Sequence, residues 1–206
     1  MTGYAFDFSG QRLIARAGGA LYWPDQDMLI VADLHLGKSE RMARRGGSLL
    51  PPFETRETLA RLSAELDVLR PSRLVLLGDI FDDDAAAQGL CQTDRDLLDR
   101  LAGRSTTIMI AGNHDPLQGP DAYLEQGIAL RHIAGEDPDI SGHFHPKMRI
   151  AGRSRPCFLV ASGHLILPAF GHYTGGLVYD DPALRAIVPR GIAVLTGRKA
   201  IAVPYG

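Results

Sequence analysis

Cysteine is nearly missing from this chain of 206 residues: Cys91 and Cys157 stand 66 positions apart, with no CxxC spacing. That excludes a disulfide framework and a cysteine-built zinc cluster, and it suits a reducing compartment. Long apolar runs are missing as well. The longest, such as Met28–Ala32 and Cys157–Ala161, reach five residues, far short of the ~20 that cross a bilayer. Met1–Arg12 has no basic stretch leading into an apolar one, so a secretory leader is not expected, and the expectation is a cytoplasmic protein without a membrane segment. Neither charge sign dominates: 22 Lys and Arg against 24 Asp and Glu leave −2. A uniformly basic nucleic-acid binder is thereby excluded, and any such role must rest on a local patch. No repeat, low-complexity tract or long Pro/Gly/Ser linker interrupts the sequence, so residues 1–206 are expected to form one domain.

What is present reads as strands and helices in alternation. Met28–Ala32 is an apolar run ending in Asp33, Arg73–Leu77 runs into Gly78-Asp79, and Thr106–Ala111 runs into Gly112-Asn113-His114-Asp115. Each reads as a buried strand that delivers polar residues at its C-terminal end. Leu59, Leu62, Leu66 and Leu69 form the stripe of an amphipathic helix over Glu54–Leu69, between Pro51-Pro52 and Pro71. A second helix is expected over about Asp94–Leu101, ended by Gly103. Strand–helix–strand order implies parallel pairing in this half. From Ile128 onward short apolar runs take over: Ile128–His132, Cys157–Ser162, His164–Ala169, Gly176–Tyr179, and Gly191–Leu195 with Ile201–Val203 as a hairpin. The architecture inferred is a mixed sheet facing a second, more antiparallel one, with helices outside.

Four short motifs carry chemistry. Asp33-Leu34-His35 sets a carboxylate and an imidazole two apart at a strand end, where both can point to one side. Asp79 follows Gly78, whose missing Cβ lets the chain turn sharply. Gly112-Asn113-His114-Asp115 packs amide, imidazole and carboxylate at one strand mouth, and Gly142-His143-Phe144-His145 adds two more imidazoles. Alone, Asp33 or Asp79 is more often a turn or capping residue than a ligand; the ordered combination is specific. Carboxylate, imidazole and amide donors without thiolate suit Mn²⁺, Fe or Zn²⁺. Two such ions about 3.5–4 Å apart share an activated hydroxide and hold the attacking and leaving oxygens of a phosphoryl group, the in-line alignment and charge neutralisation that phosphoryl transfer needs.

Across these motifs, from Asp33 to His145, the chain resembles the calcineurin-like metallophosphoesterases. The resemblance implies an α/β (α+β) four-layer fold, two mixed β-sheets sandwiched by flanking helices, with a two-metal site at the strand ends. It implies Asp33, His35 and His145 around one metal, Asn113, His132 and His143 around the other, and Asp79 between them. His132 enters as the one histidine between Asp115 and Gly142. His114 is then left free to protonate a leaving oxygen, with Asp115 to orient it. His164 and His172, after the motifs, are expected to be structural, as are both cysteines, and Asp82-Asp83-Asp84 is expected to be a solvated loop.

Further stretches narrow the likeness. Leu34-His35-Leu36-Gly37-Lys38, Arg44-Arg45-Gly46 leading to Leu50-Pro51-Pro52-Phe53, His143-Phe144-His145-Pro146, and Leu167-Pro168-Ala169-Phe170-Gly171 with Thr174-Gly175-Gly176 are similar to the bacterial ligase-associated metallophosphoesterases, over about Arg12 to Gly176. Members of that group are DNA-damage-response endonucleases associated with a DNA ligase, a helicase and an exonuclease-type partner, which implies DNA phosphodiester hydrolysis. The group often has a histidine near the position of Asp82, where this chain departs. Local charge agrees with a polyanion: Lys38, Arg41, Arg44 and Arg45 against Glu40 give +3 directly after the first motif, and Lys147, Arg149, Arg153 and Arg155 give +4 directly after the last. The alternatives are a phosphomonoesterase of nucleotides, other small esters or phosphoprotein, and a low-activity DNA-binding scaffold. Metal identity, internal or terminal cleavage and oligomeric state stay open at this point.

Overall fold

Register between neighbouring strands decides which side chains meet. In the computed structural model, which describes residues 3–46, 53–114, 119–136 and 138–206, β1 (Gly3–Phe8), β2 (Gln11–Arg16), β3 (Leu21–Trp23) and β4 (Met28–Ala32) pair antiparallel in succession. The helices α1 (Lys38–Arg44) and α2 (Glu54–Leu69) then cross to β5 (Arg73–Leu77), and α3 (Asp84–Gly89) and α4 (Gln92–Ala102) cross to β6 (Thr106–Ile110). As expected for such crossovers, β4, β5 and β6 are parallel. The second sheet contains β7 (Ala122–Glu125), β8 (Ile128–Arg131), β9 (Asp139–Ser141), β10 (Lys147–Ile150), β11 (Arg153–Val160) and β12 (His164–Ile166). After α5 (Pro182–Ile187), β13 (Gly191–Leu195) and β14 (Ile201–Tyr205) complete it in the order β14-β13-β11-β12-β9-β8-β7, with β10 on β11. It is mixed: β8, β9 and β12 are parallel neighbours and its other pairings are antiparallel.

Period-two alternation sorts the apolar residues into layers. Met28, Ile30 and Ala32 of β4 and Val75 and Leu77 of β5 face the second sheet, meeting Leu130, Ile140, Phe158 and Val194. Leu29, Val31, Leu74 and Leu76 point the other way, onto Leu59, Leu62 and Leu66 of α2 and Leu98 and Leu101 of α4. Beyond the second sheet, Cys157, Leu159 and Ile166 pack on Leu184 and Val188 of and after α5. This is the four-layer fold, two mixed sheets between helices. No helix among the described residues is long and apolar enough to span a membrane.

Two expectations need correction. Gly176–Tyr179 is not a strand: it touches the sheet through an isolated bridge from Val178 to Lys147 and through bonds such as Leu177 N–H to the Phe144 carbonyl, too few for a ladder. The basic stretch after His145 is not one track, because Met148 opposes Arg155 and Ile150 opposes Arg153 in the β10–β11 hairpin. Directly opposed residues share a face, so Lys147 and Arg149 lie on one side and Arg153 and Arg155 on the other. Pro51-Pro52 lie outside the described residues.

Beside the leucine stripe of α2, Glu65 is fully buried and its Oε2 lies 2.8 Å from Nε of the buried Arg16 on β2. Removing one partner leaves an uncompensated buried charge, at a cost of about 3–5 kcal/mol. Arg16→Ala should therefore lower the denaturant midpoint strongly, while Arg16→Met combined with Glu65→Leu should recover most of the loss; equal losses in both would refute the pairing as the cause.

Candidate metal centre

The parallel register carries three of the motifs to one end of the first sheet. Ala32 pairs with Leu77 and Leu77 with Ile110, so Asp33, Gly78-Asp79 and Gly112-Asn113 leave the sheet side by side. The pairing continues past the strands: the His35 N–H donates to the Asp79 carbonyl at 2.9 Å and the Leu36 N–H to that of Ile80 at 2.9 Å. Gly78 has φ +70°, and a Cβ there would sit 2.6 Å from His132 Nδ1 and 2.8 Å from the Gly112 Cα. Only glycine fits that turn. The second sheet contributes His132, directly after β8, and His143 and His145, after β9, tied by the Gly142 N–H to the His132 carbonyl at 3.0 Å.

Six of these side chains form two donor groups. Ligating atoms of Asp33, His35 and His145 lie within 4.8 Å of one another, as do those of Asp79, His132 and His143. Asp79 faces both groups, with Oδ2 3.4 Å from His132 Nε2 and 3.9 Å from His35 Nε2, while its Oδ1 accepts from the His114 N–H at 2.9 Å. Asn113 Oδ1 lies 2.8 Å from His132 Nε2, beside the second group.

The arrangement fits cations. Nδ1 of His132 faces the Leu77 carbonyl at 3.0 Å, which can only accept, so Nδ1 carries a proton and Nε2 is the nitrogen turned to the site. Nε2 faces the Asn113 oxygen, an acceptor, and His143 Nδ1 at 3.2 Å. Nε2 of His35 and of His145 likewise approach to 3.3 Å. Asp33 Oδ1 is buried without a hydrogen-bond partner, although its Oδ2 accepts from the His143 N–H at 2.9 Å. Converging lone pairs on O and N atoms, without thiolate, match divalent first-row ions.

Electrostatics follow the geometry. Burial pushes the Asp79 carboxyl up, but its contact with His132, the His114 N–H and the nearby imidazoles outweigh burial and hold it at about 2. Burial pushes His132 down, and Asp79 and Asp33 more than reverse that, so its pKa is raised. Burial and then His132 lower that of His143.

Asp82 is not part of a solvated loop. It is almost fully buried, with Oδ1 3.0 Å from His35 Nδ1 and 3.3 Å from Lys38 Nζ, and Oδ2 2.8 Å from a terminal nitrogen of Arg41. The His35 contact has ion-pair distance without hydrogen-bond alignment. Burial opposes ionisation of Asp82, but His35, Arg41 and Lys38 hold its pKa well below the usual carboxylate range. Asp83 caps α3 through the Ala86 N–H and takes Arg44 at 2.7 Å. Lys38, Arg41 and Arg44 therefore meet internal carboxylates in this structure.

The other expected residues differ in exposure and partners. Asn113 and His114 are exposed at the mouth, with the His114 ring 5.9 Å from that of His35. Asp115 lies outside the described residues. Lys147 Nζ donates to the Thr174 carbonyl at 2.9 Å, and burial followed by Lys38 lowers its pKa. Arg45 and Arg149 are exposed, and neither has a side-chain partner among the described residues. His164 sits 2.9 Å from Asp139 and His172 3.4 Å from Glu57, and neither belongs to a donor group. Cys91 is exposed, and burial pushes the Cys157 thiol up to about 12. Sequence reasoning assigned Asp82 to a solvated loop and passed over Arg131, which lines a cleft next to Asn113 and His132; for Arg131 its place directly before a candidate ligand was the available signal.

A carboxylate behind a ligating histidine orients the ring, and its loss typically costs 10–100-fold in metal affinity. Asp82→Ala should weaken Mn²⁺ binding by about that factor, with Asp82→Asn between it and the parent, measured by titration calorimetry on folded protein. Superimposable isotherms would show that Asp82 does not support the centre.

Residues 28–146 match the model of the calcineurin-like phosphoesterase domain. Among solved structures the chain is similar to nuclease MPE of Pseudomonas putida, with 28% sequence identity and a TM-score of 0.78 over 99% of this chain and 100% of that one. No curated protein matches it. The domain match spans the strands that carry the donor groups and extends over more than half of the sequence: the chain belongs to the calcineurin-like phosphoesterase family and is a metal-dependent phosphoesterase.

Proposed function

We propose that the protein is a dinuclear phosphodiesterase that hydrolyses DNA in the cytoplasm, in a repair setting alongside ligase, helicase and exonuclease-type activities. The observation that carries the dinuclear reading is the position of Asp79, whose one carboxylate faces both donor groups. The nuclease neighbour, similar over the full length of both chains, supports DNA as substrate.

In this reading Asp33, His35 and His145 would hold one ion, Asn113, His132 and His143 the other, and Asp79 would serve both. The donor chemistry favours Mn²⁺, with Fe or Zn²⁺ compatible. When bound, the pair supplies an activated water and neutralises phosphoryl charge. The chain contributes alignment and proton transfer. The Leu77 carbonyl fixes the His132 tautomer, and the His114 N–H fixes the rotation of Asp79. The His114 side chain, at the mouth and outside both donor groups, protonates the departing oxygen, oriented by Asp115. Arg45, Arg149 and Lys147 hold flanking phosphates. Lys38, Arg41 and Arg44, expected from the sequence to do the same, also pair with Asp82 and Asp83.

With Mn²⁺, the purified protein should cleave end-labelled single-stranded or duplex DNA and bis-p-nitrophenyl phosphate, and a chelator should abolish both reactions. Loss of a general acid costs about 10²–10⁴-fold, so His114→Ala should lower DNA cleavage in that range and affect release of nitrophenolate, a good leaving group, much less. Hydrolysis of the monoester alone, with DNA intact, overturns the diesterase reading in favour of a phosphomonoesterase. DNA binding without turnover of any substrate points to a scaffold.

A further inference from the structure

Beside the second donor group the surface falls into a cleft of about 320 Å³ lined by Asn113, Asp121, Arg131, His132 and Ile133 together with the Ala111-Gly112 backbone. It opens where β6 and β8 end, so a phosphate held at Asn113 and His132 would have one of its substituents directed along it. Three features show a shaped cleft.

Arg131, the last residue of β8, is braced inward. Its side chain is 27% exposed, its Nε is buried without a hydrogen bond, and Asp139 Oδ2 is 3.9 Å away. Gly135 makes room for the guanidinium: a Cβ there would lie within 2.0 Å of a terminal nitrogen of Arg131. Such bracing reduces the entropy lost when the fork binds acceptors. Ile133 leaves 45% of its surface open in a position flanking two polar residues, and Asp121 supplies an exposed carboxylate acceptor.

The cleft therefore offers donors from Arg131, an acceptor from Asp121 and an apolar contact from Ile133. Inorganic phosphate would use the first and leave the rest unmatched. A nucleobase presents an apolar face and an edge bearing both acceptors and donors, and at roughly 300 Å³ the volume is at the small end of ligand sites, enough for one nucleoside rather than a helix or a folded partner. We propose that this cleft is a nucleoside subsite, taking the sugar and base on one side of the scissile phosphate, with Arg131 and Ile133 as the residues that distinguish a nucleotide from phosphate alone. The proposal rests on the diesterase reading and adds to it the side on which the substrate is recognised.

The test is titration calorimetry of the Mn²⁺-loaded protein with dAMP and with inorganic phosphate, for the parent, Arg131→Gln and Ile133→Ala. The parent should bind dAMP at least about 10-fold more tightly than phosphate, as expected when one further contact set is engaged. Arg131→Gln should remove most of that ratio and Ile133→Ala part of it. Ile133 is exposed, so its variant reports on the cleft even if Arg131→Gln disturbs Asp139. Equal affinities in the parent, or a ratio that neither variant changes, overturn the subsite. A preserved dAMP preference in a protein that leaves DNA uncut supports the subsite and faults the diester assignment alone.

Discussion

The register between β4 and β5 is the constraint on which the site depends. With Ala32 opposite Leu77, two buried carboxylates, Asp33 and Asp79, emerge next to each other, and the bonds that continue the ladder hold the following turns together. A slip of one residue would exchange the faces of Leu29 and Ile30 and send each carboxylate to the wrong side. Apolar burial on both faces of β4 therefore fixes ligand positions as well as stability. The turns are costly. Five of the seven candidate ligands, Asp33, His35, Asp79, His143 and His145, have φ between +45° and +67°, at about 1–2 kcal/mol each for a side chain in the left-handed region. Backbone bonds from the segment after β12 offset that strain: the Phe170 N–H donates to the Ala32 carbonyl and the Gly171 N–H to that of Asp33. Strain that persists under such bracing concentrates at functional sites.

Three buried carboxylates near one another are stabilised in three different ways, and the difference separates ligands from supports. Asp82 is neutralised by Lys38 and Arg41 with His35 against it, so it has little left to offer a cation. Asp79 is satisfied by imidazoles and one backbone N–H, partners that a metal ion can share. Asp33 keeps one oxygen buried and unbonded, an expensive state in a dry interior that a cation relieves. The same logic moves the positive potential of the surface. With Lys38, Arg41 and Arg44 paired to Asp82 and Asp83, Arg45 and Arg149 are exposed cations without a side-chain partner among the described residues, and Lys147 and Arg131 are half-buried.

Much of this was readable in the residues. Apolar runs ending in Asp33, Asp79 and Asn113 give the parallel half and its candidate ligands, because a buried strand with a polar end has few other uses; the stripe in α2 and the terminal hairpin were equally plain. What stayed hidden depended on distant partners. Asp82-Asp83-Asp84 reads as a solvated acidic run until α1, far upstream, is folded onto it. Glu65 looks like a surface residue beside a leucine stripe until Arg16 is placed. The opening hairpin, β1 with β2, had a local signal in Ser9-Gly10, both at positive φ, between alternating runs, whereas Gly176–Tyr179 had strand composition without a neighbour able to complete a ladder. The faces of Arg153 and Arg155 could not be read without the register of their hairpin.

The layout of charge and shape bears on the kind of phosphate ester the centre suits. A small monoester gains most from an enclosed pocket that surrounds it, and among the described residues Asn113 and His114 are exposed. A chain substrate gains from recognition on both sides of the reacting phosphorus, since contacts away from the reacting atoms supply the binding energy that positions them. Here Lys147 and Arg149 lie together on one face of the β10–β11 hairpin, which leaves directly after His145 of the first donor group, and the Arg131 cleft adjoins Asn113 and His132 of the second. On the proposed diesterase reading, these two features are where the substituents on either side of a phosphodiester would be held.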